Sequence, residues 1–402
     1  MFTWWHDATP AARRALIAAS IGWTLDAFDV MLYALLIPII TKDLGLASAT
    51  AGKVQSATLI ASAVGGLVFG VVADRWGRTR ALMLSVLFYS IFTAACGFAT
   101  TAVGLAVFRI CLGLGMGGEW ASGAALVSET WSDRDRGKAL AYMQSAWAIG
   151  YALAAIVNWL VQDVFGFGWR TVFFVGVLPA FYAIWVQSRV EEPAVWLHAK
   201  RHDRGASFAT IFKRPILGIT IALTLMNSCT MFAWWGLNTW VPSFLRGTAG
   251  LGDAAMNGFV VAMQVGMWFG YVSFGYVGDA IGRRRAYVMY LLVAAAAVLA
   301  YSWSRTPWLL FVLGPVVAFF GTGYFSGFGA VTAEVYPTNV RATAQGITYN
   351  TGRIASAGAP WLVGSLSQTH GFGAALSVIS VALVLAAGFW IFIPETRRQI
   401  TS

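Results

Sequence analysis

The stretch Gly70-Val-Val-Ala-Asp74-Arg75-Trp76-Gly77-Arg78 decides the fold, because it returns later as Gly275-Tyr-Val-Gly-Asp279-Ala280-Ile281-Gly282-Arg283. Every matched position is displaced by 205 residues, as from Gly77 to Gly282. A second motif keeps this displacement, since Glu129 and Arg136 correspond to Glu334 and Arg341. Two separate motifs at one offset indicate a duplication, so the chain consists of two copies of one unit.

Long apolar segments surround both copies of the motif. Of the 402 residues, 58% are hydrophobic and 11% charged, whereas soluble domains are about a quarter charged. A hydrocarbon core of about 30 Å needs about 20 apolar residues. The predicted spans are Ala15–Ile40, Val54–Ala73, Ala81–Ala99, Ala102–Ser122, Lys138–Gln162, Gly168–Ser188, Pro215–Leu245, Met256–Gly278, Ala286–Trp303, Pro307–Val331, Thr343–Ser367 and Gly371–Pro394.

The sequence therefore predicts an all-α membrane protein with twelve transmembrane helices in two pseudo-symmetric six-helix bundles. We expect the first bundle in residues 1–188, a cytoplasmic loop in residues 189–214 and the second bundle in residues 215–402. These spans leave no room for a separate soluble domain.

Lys and Arg are distributed unevenly between the two ends of the predicted helices. Of 27 in total, 20 fall on the side of the N-terminus, five on the opposite side and two within spans. Loops rich in Lys and Arg stay in the cytoplasm, so both termini are predicted there, in a bacterial inner (plasma) membrane. The net charge of +10 then reflects topology and contact with the lipid bilayer, and no nucleic-acid partner is expected.

No cofactor or metal site is expected. The three cysteines, Cys96, Cys111 and Cys229, fall inside predicted spans without the paired spacing of a metal or redox motif. The histidines all fall in tails or loops.

The repeated loops combine three residue types with separate uses. Gly allows two helices to approach closely, Asp can cap a helix N-terminus, and Arg can pair with acids on the adjoining helix end. A basic turn that only sets topology would not explain the repeated Gly and Asp. The predicted cytoplasmic gate consists of Gly70, Asp74, Arg75, Gly77, Arg78, Glu129, Arg136, Gly275, Asp279, Gly282, Arg283, Glu334 and Arg341.

Ionisable residues within membrane helices are costly and mark function by default. Span one contains Asp26 and Asp29, which lie three apart and share a helical face. Two such carboxylates cannot both ionise cheaply in low dielectric, which suits proton carriers. The alternative is that one Asp pairs with an Arg to hold helices together. Glu119, in span four, is the third candidate for proton coupling and is expected to face the cytoplasmic half of a cavity.

Arg109 and Glu119 both belong to span four and lie about 15 Å apart along the helix axis, too far to neutralise each other. We expect Arg109 to pair with an Asp of span one. The glycines between them, Gly113, Gly115, Gly117 and Gly118, follow no strand and indicate close helix packing rather than a phosphate site.

Arg353 lies in span eleven, and the predicted spans of the second half contain no acid to match it. Its expected partner is a substrate anion, because Arg binds a carboxylate through two parallel hydrogen bonds. A backbone carbonyl or an acid of the first half across the cavity remains the alternative. The candidate substrate-binding residues are Arg353, Arg109, Tyr324, Trp234, Asn238 and Asn227.

The repeated loops, the Glu-x6-Arg pairs, and the segments Glu191-Glu192-Pro193 and Pro394-Glu395-Thr396 resemble the major facilitator superfamily. The resemblance covers nearly the whole chain. It implies a cavity near the midplane between two six-helix bundles, and transport by rocking of one bundle against the other.

The run Asp26-Ala27-Phe28-Asp29, with Gly117-Gly118-Glu119 and Arg353, is similar to the proton symporters for organic acids, including the sialic-acid, aromatic-acid and lactate branches. The aromatic-acid branch usually has Gly at the position of Ala27, and the lactate branch has a polar core where this chain has Met231 to Trp235. The resemblance implies symport of a small carboxylate with protons by alternating access, in a protein that works as a monomer.

Other functions remain open. Acids in a membrane cavity also suit proton-driven efflux of a hydrophobic or cationic compound, although Arg353 argues against a cation, and symport of a sugar or another metabolite is a further alternative. A membrane sensor that signals through the central loop is a third class. An enzyme is not expected, since the spans contain no Ser-His, Cys-His or metal-ligand set.

Overall fold

A computed structural model of the chain describes residues 3–132, 135–182, 185, 190, 192, 216–247, 249–336 and 341–395. The described helices are α1 Thr3–His6, α2 Pro10–Asp43, α3 Ser48–Trp76, α4 Arg78–Cys96, α5 Ala102–Thr130, α6 Arg136–Trp159, α7 Trp169–Val175, α8 Ile216–Gly247, α9 Asp253–Ile281, α10 Arg283–Trp303, α11 Pro307–Thr322, α12 Phe325–Val335, α13 Arg341–Ser356 and α14 Gly358–Phe389. A π-helical turn, Leu160–Val164, extends α6.

The twelve predicted spans can be placed on these helices. In the described part of the chain, ten helical segments are long and apolar enough to cross a membrane, and Trp169–Tyr182 is a shorter apolar one. One of the ten, Gly346–Phe389, has 44 residues and is interrupted at Gly371, where φ is 77° and ψ is 166°. It therefore contains two spans, which confirms the all-α fold with twelve spans.

Several predicted boundaries were wrong for local reasons. Helix α2 begins at Pro10 instead of Ala15, because the Thr9 hydroxyl caps it by accepting the Ala12 N–H at 3.2 Å. The tenth span is divided between α11 and α12 at Gly323, where a side chain would stand 2.6 Å from the Gly270 carbonyl oxygen of α9. A hydropathy pattern does not reveal this break in the helix, because the residues on both sides of it are apolar.

Other predicted segments lie partly outside the described residues. The sixth span begins as α7 and then turns at Gly176, and its last residues up to Ser188 are mostly not described. The same holds for the central loop at 189–214, of which only Val190 and Glu192 are described.

The duplication is visible in the backbone. Six glycines of the described chain have positive φ, and they form three pairs with the 205-residue offset of the sequence motif. The pairs are Gly45 with Gly250 (62° and 68°), Gly77 with Gly282 (115° and 99°), and Gly166 with Gly371 (69° and 77°). Such angles strongly favour glycine, so the two halves share their turns.

Each half is a bundle that packs through small residues. In the first bundle α5 lies against α3, and a side chain added at Gly113 or Gly117 would collide with the carbonyl oxygens of Thr58 or Ser62. The close packing predicted for this glycine run is therefore confirmed. Gly115 faces Tyr89 of α4 in the same way.

The two bundles meet through α6 with α9, α3 with α14, and α2 with α8. We call the side on which α2 begins the N-terminal side. On the far side the Asn158 amide donates to Asn257 Oδ1 at 3.1 Å, and Gly52 packs on the Pro360 backbone. On the N-terminal side a cleft between α6 and α9 is lined by Lys138 and Tyr276, among others. The bundles thus touch on the far side, and a cleft lies between α6 and α9 on the N-terminal side.

Candidate functional site

The repeated motif joins equivalent helices in both bundles. Arg78 donates from Nε and Nη2 to Glu129 Oε1 at 3.1 and 3.0 Å, which ties the start of α4 to the end of α5. In the second bundle Arg283 Nη2 lies 2.7 Å from Asp279 Oδ1 and 3.5 Å from Glu334 Oε1. The two Arg residues and the two Glu residues each correspond through the 205-residue offset.

The helix caps at these loops come from other residues than predicted. The Glu192 carboxylate accepts the N–H groups of Thr79 at 3.1 Å and Arg80 at 3.2 Å. Glu395 does the same for Arg283 at 2.8 Å and Arg284 at 3.2 Å. The motif Asp was expected to cap, but Asp279 lies in the last turn of α9 and reaches its own i+4 Arg. An acid at a helix N-terminus is also favoured by the helix dipole.

Close approach occurs at two of the four predicted gate glycines. A side chain at Gly77 would collide with Glu192, and one at Gly282 would stand 2.8 Å from Glu395 Oε2. At Gly70 and Gly275 a side chain would meet no atom of the described chain within 4 Å. Arg75 is exposed, and Arg136 begins α6. The side chains of Asp74 and Arg341 lie outside the described residues.

The three intramembrane acids are fully buried. Asp29 Oδ2 accepts the Thr93 hydroxyl at 3.0 Å, whereas the carboxylates of Asp26 and Glu119 have no donor among the described residues. Glu119 Oε1 lies 2.5 Å from the point where a Gly22 side chain would stand. Gly22 is one helical turn before Asp26, so Glu119 and Asp26 belong to one cluster between α5 and α2.

Arg109 does not form the predicted ion pair with an Asp of the first span. Its Nη2 donates to Gln55 Oε1 at 2.6 Å, and its Cζ lies 4.7 Å from the centre of the Tyr33 ring. No ion pair of Arg109 is found within the described chain. Asp29 acts on it electrostatically but is held by Thr93 of α4. The amide Gln55, which sequence reasoning missed, supplies the nearer acceptor.

Arg353 is 3% exposed, and its Cζ lies 5.2 Å from the centre of the Tyr349 ring. No carboxylate forms an ion pair with it in the described chain, and its Nε has no acceptor there. The charges of Asp26 and Glu119 nevertheless act on it from the first bundle. The substrate anion expected from sequence stays a prediction, as do its alternatives, a first-half acid across the cavity and a backbone carbonyl.

The central cavity between the bundles has a volume of about 40 Å³ measured at the centres of water-sized spheres, and about 380 Å³ when all space between its atoms, open solvent included, is counted. Its lining residues come from α2, α5 and α6 of the first bundle and α8, α9, α12 and α13 of the second. They are Trp23, Met116, Gln144, Trp147, Met231, Trp234, Trp235, Tyr271, Phe325, Tyr349 and Arg353. The structure thus brings two of the predicted binding residues, Arg353 and Trp234, to one cavity.

The other predicted binding residues are buried outside this lining. The Asn227 amide donates to the Thr348 carbonyl at 3.2 Å, and the Asn238 amide donates to the Trp234 carbonyl at 3.0 Å. Tyr324 packs on the ring of Phe325 with centres 4.9 Å apart. Their depth in the spans had suggested a binding role, but depth does not determine which helix face turns inward.

Sequence reasoning missed most of the aromatic wall. Trp23, Trp147, Trp234 and Trp235, which we call the tryptophan cluster, contact one another with ring centres 4.6 to 6.2 Å apart. The available signal was the spacing of Trp23, three residues before Asp26 and therefore on the face of the acids.

The profile of the Major Facilitator Superfamily matches residues 19–273 and 258–401. The chain belongs to the major facilitator superfamily. A superfamily member of Cupriavidus pinatubonensis, a probable 4-methylmuconolactone transporter, is 32% identical over 99% of this chain and 94% of its own. The sialic acid transporter NanX of Escherichia coli is 30% identical over 96% of each chain.

The fold agrees with solved structures of the superfamily. The xylose transporter XylE of Escherichia coli, in a partially occluded inward open conformation, superimposes with a TM-score of 0.80 at 16% identity, over 96% of this chain and 99% of that one. The protein is therefore a multi-pass membrane transporter of the major facilitator superfamily and not an enzyme.

Proposed function

We propose that this superfamily member carries a small organic carboxylate together with protons by alternating access. The observation that carries the proposal is the position of Arg353. It belongs to the second bundle, lines the central cavity, and interacts electrostatically with the buried acids Asp26 and Glu119 of the first bundle. A cation in the cavity lining that can bind an anion thus interacts electrostatically with buried acids, behind the lining, that can bind protons.

The substrate class follows from the guanidinium and the aromatic wall. A planar guanidinium matches a carboxylate with two parallel hydrogen bonds, and the tryptophan cluster suits an apolar body. Two relatives are named for transport of organic compounds, one of them sialic acid, which supports an organic acid without naming one.

The proton route in this proposal uses Asp26, Asp29 and Glu119. A buried carboxylate without a donor is costly when ionised, and uptake of a proton removes that cost. Protonation also weakens the electrostatic attraction of Asp26 and Glu119 for Arg353, so the guanidinium becomes available to the substrate. A proton and a monovalent anion together form a neutral load, which the membrane potential does not oppose.

The direction of transport depends on topology. In the proposal the N-terminal side, both termini and loop 189–214 face the cytoplasm of a bacterial inner membrane, with bundles at 1–188 and 215–402 that rock as a monomer. A Cys introduced at Ser207 should then react with an impermeant thiol reagent only after the cells are opened. Labelling from outside intact cells would show that this loop faces outward and that the proposed topology is wrong.

Proton-driven efflux of a hydrophobic cation is the second candidate, because tryptophan faces attract cations. A thermal-shift panel on the purified protein separates the two. Lactate, gluconate and benzoate represent acids, benzamide an uncharged analogue, tetraphenylphosphonium a cation and D-xylose a sugar. We expect stabilisation by at least one acid and none by benzamide, the cation or the sugar. Stabilisation by tetraphenylphosphonium alone would replace the proposal with efflux, and by xylose alone with sugar transport.

A further inference from the structure

The tryptophan cluster forms a wall to which both bundles contribute. Trp23 of α2 and Trp147 of α6 have ring centres 4.6 Å apart, and Trp147 meets Trp234 of α8 edge to face at 5.4 Å. Trp234 in turn contacts Trp235 at 4.7 Å. These contacts fix the ring planes, so the indole N–H groups have fixed directions as well.

Three of these indole groups lack an acceptor. The side chains of Trp23, Trp147 and Trp234 are 2%, 3% and 6% exposed, and none of their Nε1 atoms has a hydrogen-bond partner within the described chain. Buried indole N–H groups usually find a partner. Outside the cavity, Trp240 donates to the Pro360 carbonyl at 2.8 Å and Trp131 to the Ala12 carbonyl at 2.9 Å. Trp390 is the one buried indole N–H outside the cavity that also has no acceptor in the described chain.

The rest of the cavity supplies donors and apolar surface in preference to acceptors. Arg353 provides only donors, Met116, Met231 and Phe325 are apolar, and the hydroxyl groups of Tyr271 and Tyr349 can donate or accept. The one amide in the lining, Gln144, uses its oxygen to accept the Trp120 N–H at 3.4 Å. The lining side chains therefore carry more N–H groups than acceptors, and acceptor atoms of a ligand could satisfy the unpartnered ones.

We propose that Trp23, Trp147 and Trp234 select flat, unsaturated acids that carry a second oxygen or nitrogen acceptor away from the carboxylate. The inference rests on the proposed function, because Arg353 is taken to hold the carboxylate while the indole groups hold the second acceptor. Fixed aromatic planes favour a flat ligand body. An acid without the second acceptor leaves the indole N–H groups unsatisfied and binds more weakly.

The test compares acids of nearly equal shape. Acetylbenzoates and isopropenylbenzoates, substituted at ring position 3 or 4, both carry a trigonal carbon on the ring and differ in that a carbonyl oxygen replaces a methylene group. Calorimetric titration of the purified full-length protein should show the acetyl acid binding about tenfold more tightly at one of the positions, since one satisfied hydrogen bond has about that effect. The preference for the acetyl acid should decrease in Trp23→Phe, Trp147→Phe or Trp234→Phe, because Phe retains an aromatic ring but has no N–H.

Trp240→Phe is the matched control, because its N–H is already bound to Pro360 outside the cavity, and it should keep the preference. Equal binding of the two acids by the parent protein, or a preference that survives in all three cavity variants, overturns the inference. If lactate or gluconate binds through Arg353 but no benzoate does, only this inference fails. If no acid binds, the proposed function fails with it.

Discussion

Trp120 of α5 and Tyr349 of α13 stack face to face across the two bundles, with ring centres 4.1 Å apart and planes 2° apart. Tyr349 lies one helical turn from Arg353, whose guanidinium faces its ring, and Trp120 follows Glu119 directly. Tyr349 and Arg353 also line the central cavity. The stack therefore joins the helix that carries the cavity Arg to the helix that carries the buried Glu119.

Removal of this stack should open the cavity towards the N-terminal side. We expect Trp120→Ala to speed exchange of bound substrate in proteoliposomes and to weaken its binding several-fold, because an aromatic pair contributes about 0.5–1.5 kcal/mol beyond its buried area. Trp120→Phe should keep most of the effect of the stack. Exchange rates equal to the parent in Trp120→Ala would show that the rings do not control access.

The buried acids should couple transport to protons. Asp26→Asn, Asp29→Asn or Glu119→Gln is expected to abolish accumulation driven by a pH gradient while leaving exchange of substrate across the membrane. An amide side chain neither binds nor releases a proton, so it cannot couple transport to the pH gradient. Asp163→Asn serves as control, since that acid is exposed at the far side. If all three variants of the buried acids accumulate substrate normally, the acids are structural.

The guanidinium of Arg353 should be needed for its shape as well as its charge. Arg353→Lys retains the charge but loses the planar pair of donors, so binding of the acid should weaken by about tenfold or more. Arg353→Gln should bind more weakly still. Arg305→Lys, at an exposed loop outside the cavity, is the control. Unchanged affinity in both Arg353 variants would mean that Arg353 holds the bundles together and does not contact the ligand.

Two glycines of the first motif should respond differently to alanine. Gly77 has a φ of 115° and a ψ of 152° and lies against Glu192, so Gly77→Ala should cost about 1–3 kcal/mol through the backbone conformation alone and disturb the cap as well. Gly70→Ala meets no neighbour within 4 Å in the described chain and should keep the parent's thermal stability in detergent. Equal losses in both variants would contradict the local explanation.

The contact between Asn158 and Asn257 predicts a lock on the far side. Cys residues at both positions, in a background with Cys96, Cys111 and Cys229 replaced by Ser or Ala, should form a disulfide under oxidation. Because the bundles could then no longer separate on that side, transport should stop and return with a reducing agent. Either single Cys variant is the control. Full transport by the cross-linked protein would show that this contact does not open.

The fold was predictable because its signals are local and repeated. Apolar length and the 205-residue offset were sufficient to place the spans and both motif loops. The site was harder to predict from the sequence. Hydropathy gives the depth of Asn238 or Trp147 in the membrane, but it does not give the helix face on which either side chain lies. Arg109 shows the same limit, because its partner Gln55 comes from a helix whose neighbours only the packed structure reveals.

The paired left-handed glycines have a consequence for protein engineering. They fix six turn positions at which substitution is strained, while the helix faces between them are free of that restraint. Cargo preference and foldability should therefore be separable. A library that randomises Trp23, Trp147 and Trp234 but leaves these glycines untouched would sample new cargoes on a scaffold that still assembles, and it would do so by altering side chains alone.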